Sequence, residues 1–243
     1  MREAPNLGAA PVDQLAIAGN ACGPAAVLSS LRFGSEKWRK VADALGGNND
    51  RQRLRKIILE FGMRPSESLG GRSRWSKAGV NVADLCDIAN EMAEGTSLPV
   101  LKYEIMVRKP RESQADLLQR VHSRMERSLA EGMPPVVGIR RFTQRKGTWM
   151  VVEAHFVTVI AIPKKLEKGA ASFPVTYLDP WGGRRCEGRI AVSETEFVAG
   201  EGGTDSVLSP CLEADFPKAL VGKSKLAKGE ATMLTVSTAI GCW

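Results

Sequence analysis

Histidine is nearly missing from this chain, with two in 243 residues, His122 and His155. Neither stands at zinc-finger spacing from a cysteine pair. The cysteines, Cys22, Cys86, Cys186, Cys211 and Cys242, form no CxxC, so a zinc module is excluded. No apolar run approaches the roughly 18–20 residues that cross a bilayer. The opening MREAPNLGAAPVDQ lacks the apolar stretch of a secretory signal peptide. A mature exported chain with a restored Met reads the same way, so the compartment stays open. GxGxxG, HExxH and GxSxG are also missing, which removes the dinucleotide, zinc-protease and serine-hydrolase signatures. VGKSK (Val221 to Lys225) resembles the end of a phosphate-binding loop, but Pro217 takes the place of its first glycine. Seven Phe and two Tyr show no stacking pattern of the RNA-recognition type. There is no internal repeat and no low-complexity block.

Acidic charge is in short supply as well: 27 acidic side chains face 34 basic ones, a net charge of +7. The excess gathers in RQRLRK (Arg51 to Lys56), RRFTQRK (Arg140 to Lys146) and KSKLAK (Lys223 to Lys228). Solvated faces and hairpin tips are the ordinary reading of such runs, and a nucleic acid or other anionic surface is the weaker one. Hydrophobic content of 43% and charged content of 25% are those of a globular protein. A chain of this length buries a sizeable core, as one domain or two intimate lobes.

Along the chain, residues 1–131 read as mainly helical. Pro24 suits the first turn of a helix, Ala25, Ala26, Val27, Leu28 and Leu31 supply its apolar face, and Gly34 caps it. Further helices are expected over Glu36 to Leu45 and from Asn49 or Asp50 to Gly62. Asn81 and Ser113 then cap two more, the last with a stripe of Leu117, Leu118, Val121, Met125 and Leu129. Residues 132–243 read as mainly β, with strands in PVVGIRRF, WMVVEAHFVTVIAI, PVTYLDPW and ATMLTVSTAI. KKLEKGAAS reads as a hairpin tip, and Gly200, Gly202 and Gly203 as a flexible loop bordering a cleft. Helices followed by strands make an α+β pattern.

Three positions carry chemistry. Cys22 falls at a helix start, His155 heads a strand, and Asp179 ends the next one. Each has a plain alternative: a thiol before a core helix, a histidine bonded to backbone, an aspartate opening a turn before Pro180. His122, between Arg120 and Arg124 on the Ser113 helix, reads as a surface or boundary residue. Adjacent antiparallel strands can bring His155 and Asp179 together, the carboxylate fixing the imidazole while its other nitrogen faces Cys22. A helix N-terminus and an imidazolium both favour thiolate over thiol. The backbone N–H of Cys22 would then form half of an oxyanion hole.

The order CGPA, then HFVTV, then LDPW resembles the papain-like cysteine peptidase superfamily. The likeness is to its bacterial branch, which includes the double-glycine leader peptidases of bacteriocin exporters. It runs from about Gln14 to Trp181 and leaves the helical middle, Ser35 to Glu131, unmatched. The spacing from Cys22 to His155 falls in the range of roughly 130–150 residues of papain-type enzymes. The resemblance implies a single papain-like catalytic domain over 1–243. In it a helical lobe (1–131) carries Cys22, an antiparallel β-sheet lobe (132–243) carries His155 and Asp179, and the active-site cleft lies between them. It implies a Cys22–His155–Asp179 triad that hydrolyses peptide or isopeptide bonds in a peptide or protein substrate through a thioester, with no cofactor or metal. The same machinery serves acyl or peptidyl transfer, and a catalytically silent binding protein is the alternative from another class. One departure matters. The superfamily's oxyanion glutamine stands about six residues before the cysteine, where this chain has Ala16. Gln14, eight residues upstream, and Asn20, two upstream, are the candidates to complete the hole. A leader peptidase is usually fused to a transporter, so that role would here need a separate partner. A disulfide among Cys186, Cys211 and Cys242 is left open.

Overall fold

The structure, a computed structural model, describes residues 1–18, 20–198 and 206–243. The glycine loop expected at Gly200, Gly202 and Gly203 lies outside the described residues.

Helix α1 (Cys22–Phe33) is buried along nearly its whole length, from Gly23 to Leu31. Pro24 sits in its first turn, where the missing N–H costs no helical bond. A helix without a polar face must be covered on all sides. Part of that cover is α2 (Glu36–Ala44), through Trp38 and Val41. The rest comes from α3 (Asp50–Lys56), which runs on into a π-helical turn, Ile57–Gly62, and from the next helix along the chain. Between them lies a short hairpin, β2 (Trp75–Ser76) and β3 (Gly79–Val80). Helix α4 (Val82–Met92) starts at Asn81, whose side chain accepts the Asp84 N–H. Helix α5 (Gln114–Ala130) starts at Ser113 in a reciprocal capping box with Asp116.

The β strands close on themselves. Their ranges are β5 (Val136–Arg145), β6 (Thr148–Ile162), β7 (Ser172–Asp179), β8 (Arg184–Ala191), β11 (Leu212–Asp215) and β12 (Thr232–Gly241). They pair antiparallel in the order β6-β5-β12-β11-β8-β7, and β7 pairs back to β6, a closed six-stranded barrel. Strand β1 (Arg2–Glu3) extends β6, β4 (Lys102–Ile105) pairs β12, and β9 (Glu196–Val198) pairs β10 (Ser206–Leu208) apart from the rest. Register shifts at Arg141/Phe142, Val159/Ala161 and Val236/Thr238 bend the strands that have to curve round.

This overturns the expected papain-like architecture of a helical lobe followed by an antiparallel β-sheet lobe with the cleft between them. The pattern of apolar runs finds β5, β6, β7 and β12 but passes over β8 and β11, the two strands that complete the ring. β8 reads RRCEGRIA, with Cys186 buried between Arg185 and Glu187 and Ile190 buried after Arg189, and β11 is only LEAD. Strand β6 joins the two cores of the molecule. Phe156 belongs to the cluster around α1, and Thr158 donates its hydroxyl to the Ala26 carbonyl at 2.8 Å. Val157 and Val159 belong to the larger cluster of barrel residues and the α5 stripe.

Candidate functional site

The site is assembled where α1 begins, where β6 passes beneath it, and where β7 ends. Gly23, the second residue of α1, allows the β2–β3 hairpin to approach: a Cβ there would lie 2.6 Å from Val80 Cγ1. Cys22 is thereby left half-buried at the helix start, on the wall of a cleft of about 630 Å³. The cleft is also lined by Asn20, His155, Trp181, Lys77 and Lys223.

His155 is 7% exposed and Asp179 1%, and the imidazole Nε2 lies 2.9 Å from Asp179 Oδ1. With Nε2 committed to the carboxylate, the other ring nitrogen is left for Cys22, which lines the same cleft as His155. Burial works against charge on this ring. The hydrogen bond to Asp179 and the influence of Cys22 outweigh it and raise His155 to about 9.

Asp179 is itself held from three sides. Oδ1 accepts the Trp181 N–H at 2.9 Å, and Oδ2 faces Arg184 Nη2 at 3.2 Å from the paired position on β8. The turn after Asp179 docks on the N-terminal segment. Gln14 donates its backbone N–H to Pro180 O at 2.9 Å, and Gly182 donates to Asp13 Oδ1 at 3.1 Å. Sequence reasoning missed Arg184 and Asp13. The signal for Arg184 was its place directly after the LDPWGG turn; Asp13 carried none.

The two carboxamide candidates are placed differently. Asn20 lines the cleft and donates through Nδ2 to Ser76 O at 2.9 Å, which ties it to the hairpin. Gln14 is fully buried in a short 3₁₀ turn, Gln14–Ala16, against the Pro180 turn. His122, read from the sequence as a surface or boundary residue, is a core residue at 3% exposure. Its Nε2 lies 2.9 Å from Pro163 O, its ring meets Phe173 edge-on, and burial lowers its pKa. Its arginine neighbours misled, because the residue itself lies on the apolar stripe of α5.

All five cysteines are free thiols, so the open disulfide does not form in this structure. Cys86 and Cys242 are buried and pushed up to about 12, and burial also raises Cys186 and Cys211. VGKSK forms no phosphate loop: Lys223–Lys225 is a 3₁₀ turn on the cleft wall. Among the described residues no group of three His, Cys, Asp or Glu side chains could hold a metal ion, and no helix is long and apolar enough to cross a membrane. Compared with protein-family models and with curated proteins, the sequence matches none.

Proposed function

We propose that this protein is a cysteine hydrolase that cleaves peptide or isopeptide bonds through a Cys22–His155–Asp179 triad, the chemistry its motifs share with papain-like peptidases. The observation that carries the reading is His155, buried, hydrogen-bonded to Asp179 and lining one cleft with the Cys22 thiol.

In this reading Cys22 Sγ, as thiolate, attacks the substrate carbonyl carbon, and the carbonyl oxygen takes the negative charge. The Cys22 N–H, in the first turn of α1 where amides lack helical acceptors, meets that oxygen together with the carboxamide of Asn20 or Gln14. The His155 imidazolium gives its proton to the leaving nitrogen, the C–N bond breaks, and a thioester remains. Neutral His155 then takes a proton from water, the resulting hydroxide attacks the thioester, and the acid leaves as the thiolate–imidazolium pair is restored. An amine in place of that water would give transfer in place of hydrolysis.

The test is alkylation followed by intact mass. Brief iodoacetamide treatment of the native protein is expected to add one carbamidomethyl group, on Cys22, while the four buried thiols react only after unfolding. His155→Ala should slow this adduct by about tenfold or more, following the loss of a base worth roughly 10²–10⁴ in rate. Equal labelling in His155→Ala, or peptide cleavage that survives Cys22→Ala, would overturn the reading.

A further inference from the structure

The two walls of the cleft come from segments far apart in sequence, and both present lysines. On the helical side the β2–β3 turn exposes Lys77. On the barrel side the turn after Leu220 exposes Lys223 and Lys225. This second turn is fastened from below: Gly222 donates to Glu153 Oε2 at 2.6 Å, and Arg141 Nε donates to the Val221 carbonyl.

The carboxylates nearby are already occupied. Glu153, on the lining, accepts Gly222 through one oxygen and pairs with Lys225 at 3.6 Å through the other. Asp179, behind His155, is held by His155, Trp181 and Arg184. Among the described residues Lys223 donates to the Pro217 carbonyl, at 3.1 Å, and neither it nor Lys77 forms a salt bridge. The cleft therefore holds positive charge that its own acids do not offset. At about 630 Å³ it is on the order of one Debye length across, so these charges act together on anything inside. The lining also includes Trp181 and Leu220, 39% and 45% exposed, which offer apolar surface to a flanking side chain.

We propose that the cleft selects peptides carrying an acidic side chain beside the bond that Cys22 attacks, through Lys77 on one wall and Lys223 on the other; this rests on the thiol-hydrolase reading. The probes are two peptidyl vinyl sulfones that differ only in a Glu or a Gln next to the electrophile, with Cys22 labelling followed by mass. At about 20–50 mM salt the Glu probe should label on the order of five- to tenfold faster, a ratio falling to about one in 1 M NaCl as the charges are screened. The same loss of preference is expected in the double variant Lys77→Gln, Lys223→Gln, whose fold is checked by circular dichroism. Equal rates for the two probes at low salt, with Cys22 labelled by both, would overturn the charge selection and leave the hydrolase reading standing. A preference that persists in the double variant would do the same. Labelling by neither probe would overturn the hydrolase reading, and the selection with it.

Discussion

His155 shows how a strongly buried imidazole can remain charged. Its desolvation is offset by Asp179 on one side and Cys22 on the other, and Asp179 is in turn steadied by the Trp181 N–H and Arg184. With the folded value near 9, the imidazolium persists below that pH and is lost as pH rises through it. In the proposed mechanism that proton goes to the leaving nitrogen, so the rate of peptide cleavage should carry an alkaline limb near pH 9. In Asp179→Asn the carboxylate's contribution disappears, so the limb should move to lower pH and the turnover number should fall on the order of 10²-fold or more. A pH–rate profile of both proteins checks this, and an unmoved limb would show that Asp179 does not act on His155. The three residues were legible in the sequence because histidine is so scarce and the order Cys, His, Asp is informative. What surrounds them was less so. Arg184 and Asp13 act through a turn whose docking depends on the folded backbone, which no spacing rule predicts.

Among the elements, the helices were easier to read than the strands. Asn81 and Ser113 announce α4 and α5 through side chains that cap locally, so the chain neighbours alone identify them. Strand β8 has no such local mark, since its charged residues alternate with the buried Cys186 and Ile190 and only its partners β7 and β11 define it. The contact between α1 and the β2–β3 hairpin is likewise invisible in sequence and yet shapes the cleft. Gly23→Ala would push a methyl group against Val80 and the tip of Leu85. The expected cost is about 1–3 kcal/mol of stability, as for other overpacked sites. A urea titration measures that cost. Slower Cys22 alkylation under native conditions would report the displaced hairpin.

For the whole molecule, barrel closure is the feature that the sequence concealed. An α+β pattern of helices followed by strands suits an open sheet as well as a closed one. The difference lies in two short polar strands and three register shifts. Closure places β6 between two cores: Phe156 and Thr158 engage α1, while Val157 and Val159 belong to the barrel. Helices and barrel should therefore lose structure together. Helical circular dichroism and the near-ultraviolet signal of Tyr177, buried against Phe216 in the barrel core, are expected to report one coincident urea transition. Two separated transitions would show that the helical part unfolds independently.

The cleft walls stand outside this closed frame. Lys77 and Lys223 sit at exposed tips of turns, whereas His155 and Asp179 are set in strands whose backbones are tied into the ring. On the proposed reading, an evolving lineage could exchange those tips, altering what the cleft accepts, without disturbing His155, Asp179 or the ring that supports them. Selectivity and catalysis would then be inherited as separable traits of one chain.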